Sequence, residues 1–184
     1  THELTLFETA RSYYAEHGEC VYCAMLKQLL HEPADPNTPG GPDHIVYQNE
    51  QFVAFVPWSP PSEYCIWILP IQHTHDLFLD PQLHATDQNR SAVLAALADA
   101  LRQVCRRLYW LCGNPDYNII VRNAPLKHDK QLAASYHWHL EVSPRFTKAG
   151  GLELATQNSF SVLLTDPADA ARKLRAAVMP EGGK

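Results

Sequence analysis

Apolar residues recur at helical spacing in several stretches of the chain and alternate with polar ones in shorter runs. Residues 3–17 carry Leu4, Phe7, Arg11 and Tyr14 on a mixed stripe, and Gly18 is placed to end that helix. A second short helical pattern follows, with Met25, Leu26, Leu29 and Leu30. Residues 31–43 hold four prolines and the Gly40-Gly41 pair, which predicts a long loop inserted into one domain. Strands are expected at 45–48, at 52–56 and at 64–69, an antiparallel meander. Pro70 stops its third member, and the near-continuous apolar run of that strand predicts cover on both faces. Leu94, Leu97, Leu101, Val104, Leu108 and Leu111 mark the clearest helix, 88–112, capped by Thr86 or Asp87 and ended by Gly113. Further strands are expected at 117–122, 152–155 and 160–164. A last helix opens on Asp166-Pro167 with Ala170, Leu174 and Val178 facing inward, and the tail 180–184 is expected to fray.

The most telling stretch is Ser135–Ser143. Read as one strand, it puts His137, His139 and Glu141 on one face and Tyr136, Trp138, Leu140 and Val142 on the other. A row of two imidazoles and a carboxylate is costly to bury without partners, so it predicts either a wet sheet face or a site. The succession of elements gives an α+β fold, residues 1–184 forming one domain with a mostly antiparallel sheet and helices packed on it.

Composition narrows the function. Hydrophobic residues make up 46% of the 184, enough for a packed core, and the net charge of −5 with no basic stripe argues against nucleic-acid binding. No apolar run reaches the length of a transmembrane helix. The chain opens on Thr1 without an initiator Met or a signal-peptide pattern, so a processed or excised cytoplasmic chain is expected. The five cysteines are odd in number and unevenly spread, unlike a secreted disulfide framework.

Cys20-x-x-Cys23 has the spacing of metal ligands, of a redox pair, or of two buried reduced thiols. A zinc site needs two further ligands. His73 in Pro70-Ile-Gln-His73 and His137 are the candidates, with His31, His44 and His75 competing. Cys65 and Cys105 read as small hydrophobes, and neither they nor Cys112 are expected to touch a metal.

Taken together these residues resemble the C-terminal half of the galactose-1-phosphate uridylyltransferase family, within the histidine-triad superfamily. The resemblance starts with the helix 10–19 leading into Cys20-Val-Tyr-Cys23. It runs through Phe52-Val-Ala-Phe-Val-Pro57 and Tyr64-Cys-Ile-Trp-Ile-Leu-Pro-Ile-Gln-His73. Tyr117-Asn118, Ala124-Pro-Leu126, Tyr136-His-Trp-His-Leu-Glu141 and Gly150-Gly-Leu-Glu153 follow, and the helix after Pro167 closes it.

The resemblance implies a zinc held by Cys20, Cys23, His73 and His137. It also implies a sugar-phosphate pocket near Gly151 and Glu153, with Lys148. Ala155-Thr-Gln-Asn-Ser159 departs from the glycine-containing turn that family members often carry there. The family's fold is two histidine-triad-like halves in one chain, often dimeric. Its reaction, part of galactose metabolism, moves a nucleotidyl group between a nucleoside diphosphate sugar and a sugar 1-phosphate. The group rides on a histidine of a His-Pro-His-x-Gln motif in the N-terminal half, a motif absent from these 184 residues. His139 stands at the equivalent position here, with Glu141 where the catalytic half has Gln. An ionised Glu141 would repel phosphate and raise the pKa of His139, so His139 reads as a wall residue more than a nucleophile. Three readings are carried forward. They are the C-terminal half of a hexose-1-phosphate nucleotidylyltransferase, a free-standing histidine-triad hydrolase or transferase with His139 as nucleophile, and a non-catalytic zinc-stabilised interaction module.

Overall fold

A computed structural model describes residues 2–31, 41–78, 86–125, 127, 129–145 and 163–177. Among these residues five helices surround one five-stranded sheet: α1 (His2–His17), α2 (Val21–His31), β1 (Ile45–Gln48), β2 (Phe52–Phe55), β3 (Ile66–Pro70), α3 (Asp87–Cys112), β4 (Asp116–Arg122), α4 (Lys130–Ser135), β5 (His139–Arg145) and α5 (Pro167–Ala176). The sheet order is β1-β2-β3-β5-β4 and every pairing is antiparallel. The α+β class read from the sequence is the class observed. Among the described residues no helix is long and apolar enough to cross a membrane.

Alternation along the strands sorts side chains into two cores. Phe52, Ala54, Ile66, Ile68, Trp138, Leu140 and Val142 face α3 and α5, where they meet Val93, Ala100, Val104, Leu108 and Leu174. Val53, Phe55 and Leu69 face the other way, toward Ala10, Tyr22, Leu26 and Leu29 of α1 and α2 and Leu132 of α4. Each fully buried Leu, Ile or Phe contributes about 1.5–3 kcal/mol of hydrophobic stabilisation, so both layers hold the sheet strongly. β3 is covered on both faces, as its apolar run predicts.

The caps are those expected. Thr86 Oγ1 accepts from Asn89 N, Gly113 closes α3 in the left-handed region, and Asp166 accepts from the first amides of α5 ahead of Pro167. Gly18 has φ +74, and its N–H donates to Tyr14 O at 2.8 Å, ending α1.

One expectation is corrected. Residues 135–143 are not one strand: 130–135 form α4, and β5 begins at His139. Asp129 caps α4 by accepting from Leu132 N at 2.8 Å. Tyr136 is therefore oriented by a helix end, and it packs in the α1–α2 core with Phe7 and Tyr22, not beside Trp138. Of the proline-rich loop, only its end is described, a 3-10 turn at Pro42–His44. The strand expected at 152–155, most of that at 160–164, Val178 and the tail 180–184 lie outside the described residues. The last two positions of the 160–164 run, Leu163 and Leu164, are not strand.

Candidate metal centre and the neighbouring histidine

The left-handed turn at Gly18 lets the chain double back so that Cys20 precedes α2 and Cys23 sits in its first turn. One helical turn of spacing brings both sulfurs to the same end of the helix. His73 follows the end of β3, and His137 bridges α4 and β5. The four ligand atoms, two Sγ and two imidazole nitrogens, lie within 4.8 Å of one another. Cys23 Sγ is 3.2 Å from His73 Nδ1 and 3.7 Å from His137 Nδ1. Zinc bonds of about 2.0–2.3 Å give tetrahedral edges of roughly 3.3–3.8 Å, so these separations suit a zinc with little movement.

The imidazoles are held from behind. His73 Nε2 lies 3.0 Å from Ala133 O, and His137 Nε2 lies 3.0 Å from Pro70 O. A carbonyl only accepts, so each Nε2 carries the proton and each Nδ1 turns a lone pair toward the sulfurs. This is how metal-ligating histidines are oriented by their outer partners. The backbone of the same segment is fixed by Trp138 N donating to Thr74 O at 3.0 Å.

The titration of the cluster is that of a shared thiolate. Cys23 donates to Cys20 and drives its pKa down, against the opposing effect of burial, and both histidines add to the effect. Cys23 is driven up in turn by that bond and by burial. His73 is raised because it bonds to Cys20. Four good ligands, a retained thiolate and two directed lone pairs fit a divalent zinc ion. Of the competing ligands, His44 bonds Val56 O at 2.8 Å and stacks on Trp58, a satisfied core histidine. His75 is outside the cluster, and the side chain of His31 is not described. All five cysteines are free. Cys65 is buried and its pKa raised by that burial, while Cys105 and Cys112 are half-buried on α3.

His139 has a different setting. It is 2% exposed, enclosed by Trp67 at 4.7 Å, Tyr22 at 5.3 Å and Tyr136 at 6.4 Å between ring centroids. Its Nδ1 bonds His137 O at 3.2 Å. Glu141 does not raise the pKa of His139 as expected. Burial lowers it to about 4, because an imidazolium would lose its water here. Glu141 instead pairs with Arg122, whose Nη2 is 3.1 Å and Nε 3.2 Å from the same carboxylate oxygen. Arg122 was not singled out from the sequence. Its register opposite His139 on β4 is the signal that places it there. Lys148, Gly151 and Glu153 lie outside the described residues.

No family model matches the chain. An ADP-glucose phosphorylase from Arabidopsis thaliana is 22% identical over 165 residues, 90% of this chain and 40% of that protein. A crystal structure of an ADP-glucose phosphorylase from the same plant, with bound ADP-glucose, superposes with a TM-score of 0.71 at 21% identity, over 94% of this chain and 48% of that one. A solved uridylyltransferase gives a TM-score of 0.72 at 25% identity, covering 96% of this chain and 50% of that one. A zinc-bound histidine-triad family protein from Mycobacterium smegmatis gives 0.53 at 21% identity, over 86% of this chain and 91% of its own. The chain thus spans about half the length of the longer proteins it matches. Its resemblance to the galactose-1-phosphate uridylyltransferase family, and its histidine-triad-like fold, stand on these matches.

Proposed function

We propose that this chain is the C-terminal half of a hexose-1-phosphate nucleotidylyltransferase, braced by one Zn²⁺ on Cys20, Cys23, His73 and His137. The reaction moves UMP or AMP between a nucleoside diphosphate sugar and a sugar 1-phosphate, through a nucleotidyl-histidine formed in an N-terminal half. Lys148, Gly151 and Glu153 contribute to the sugar-phosphate pocket, and the enzyme works in the cytoplasm. Zinc on two thiolates and two imidazoles is a closed, structural site that supplies folding energy and no open position for substrate.

The observation that carries the reading is the enclosure of His139. A nucleophilic imidazole must reach phosphorus, and this one is walled by three aromatic rings. Chemistry in an enzyme of this kind then falls to another half. The 90% overlap with an ADP-glucose phosphorylase supports sugar-nucleotide substrates. A second reading, a free-standing histidine-triad enzyme using His139, is favoured by the Mycobacterium smegmatis protein, a similar fold of which this chain covers 91%.

One experiment separates the two. The chain is incubated with UDP-glucose or ADP-glucose, quenched at alkaline pH where phosphoramidates survive, and weighed intact. No adduct is expected. A mass gain of one nucleoside monophosphate that disappears in His139→Ala overturns the half-enzyme reading in favour of the second.

A further inference from the structure

The four groups of the metal cluster do not meet solvent equally. Cys20 and His137 are buried, Cys20 within the α1–α2 core, whereas Cys23 lies half-buried at the edge of that core and His73 is exposed. A small solute therefore meets the Cys23 sulfur first. The two cysteines are also placed to join. Ala24 N donates to Cys20 O at 3.0 Å, the first bond of α2, so Cys20 is the cap residue and Cys23 the third residue of the helix. The Cys23 amide donates to the Cys20 sulfur as it would to a capping side chain. Both sulfurs lie within 4.8 Å of each other, and a disulfide needs about 2.05 Å, which rotation of the outer side chain can make up. Cys-x-x-Cys pairs interconvert in this way in disulfide oxidoreductases. None of the other three cysteines shares the cluster. Cys65 is buried against Glu141 and Ser143. Cys105 and Cys112 lie on α3, which packs on the opposite face of the sheet, and they stand seven residues apart, about 10.5 Å along that helix.

Resting on the zinc site proposed above, we propose that Cys20 and Cys23 form a redox switch: a peroxide joins them as a disulfide and releases the metal, and reduction restores the site. The Cys23 thiolate attacks one oxygen of hydrogen peroxide, the O–O bond breaks, hydroxide leaves and a sulfenic acid forms. The Cys20 thiolate then attacks the Cys23 sulfur, the S–O bond breaks and a second hydroxide leaves. Two protons from solvent turn the hydroxides into water. The sulfurs lose two electrons and the peroxide gains them; zinc has no redox chemistry of its own and departs as Zn²⁺. It departs because a disulfide carries no anionic sulfur, which leaves His73 and His137 as the remaining ligands. Metal-binding energy in such a site is folding energy, so oxidation loosens the join between α2, β3 and β5 that the four ligands make.

Zinc is counted first in the untreated chain, and a chain without it sinks the zinc site and the switch together. The zinc-loaded chain is then treated with hydrogen peroxide while a chromogenic chelator follows metal release. It is alkylated without reduction and digested with trypsin, and peptide 12–27, which holds Cys20, Cys23 and no other cysteine, is sequenced by mass spectrometry. Peroxide should remove the zinc and leave both cysteines unalkylated and the pair two hydrogens lighter. Dithiothreitol followed by zinc should return both thiols and the metal. Cys23→His keeps a fourth ligand and cannot close the disulfide, so it should hold its zinc through the same treatment. The wild-type peptide decides the question whether or not that variant folds. Zinc retained by the wild type overturns the switch and leaves the metal site standing. So does zinc released with both cysteines still open to alkylation or carried to sulfinic acid, or released from zinc-loaded Cys23→His at the wild-type rate.

Discussion

His137 and His139 stand two residues apart, and both are buried, at 0% and 2% exposure, yet their surroundings differ in kind. His137 faces sulfur and a second imidazole, with a backbone carbonyl behind it; His139 faces aromatic rings. The first arrangement holds a lone pair ready for an electron-deficient centre. The second keeps the ring neutral by withholding water and gives it nothing to react with. Burial alone therefore does not distinguish a ligand from a filler; the identity of the facing atoms does.

The largest expected effect breaks the first half of that contrast. Elemental analysis of the wild type should find one zinc per chain, and His137→Ala or Cys20→Ser should abolish it. Structural zinc binding is worth about 10–16 kcal/mol in small peptides, comparable to the whole stability of a domain. The melting temperature should therefore fall by more than about 10 °C, at about 2–4 °C per kcal/mol for a chain of this size. A chelator should lower the wild type to the same point and leave the variants unmoved. Metal-free wild type that melts where the holo protein does would sink the site.

The next effect falls on the floor beneath His139. Glu141→Ala leaves the Arg122 guanidinium, 18% exposed, without its carboxylate. Breaking a fully buried pair costs about 3–5 kcal/mol, and partial access to water reduces this to about 2–3 kcal/mol. Denaturant titration measures it. The double variant Glu141→Met/Arg122→Met should recover most of the loss, and a double as unstable as the single would show that packing, not charge, is at stake.

His139 itself should matter least. His139→Ala removes a ring from a packed cage and should cost about 2 kcal/mol through the cavity it leaves. His139→Phe should cost about 1–2 kcal/mol, because its larger ring must be fitted into the cage. Both should retain one zinc per chain. Loss of metal from the Phe variant would mean the two histidines are not separable.

What the sequence made legible follows the reach of its signals. α3 was readable end to end because its apolar stripe, Leu94 to Leu111, runs for about five turns and both caps are explicit. The four candidate ligands were readable because cysteine and histidine name themselves and Pro70 fixes where His73 falls. α4 was not, because six residues carry too little periodicity to outvote the alternation that follows, although Asp129 ahead of Leu132 was a usable cap signal. The error displaced Tyr136 to the wrong face. The carbonyls of Pro70 and Ala133 that aim the imidazoles were invisible, since any residue supplies one. The cage around His139 was invisible for another reason. Tyr22 and Trp67 come from distant parts of the chain, and only the sheet register and the seat of α2 bring them together. The β4–β5 pairing explains why Glu141 failed to act on His139 as its spacing suggested, since it brings Arg122 against the Glu141 carboxylate.

Tyr22 and Cys23 are neighbours on α2, one closing the lid over His139 and the other reaching the sulfur–imidazole cluster. The first turn of that helix is thus a clasp whose pin is the cluster. Drawing the pin should free the turn and let the ring of Tyr22 swing away with it, uncovering the imidazole of His139. Chelation should then shift tryptophan emission to the red as Trp67 is wetted, with the same shift absent in Trp67→Phe. An emission spectrum unchanged by chelation would show that clasp and lid move independently.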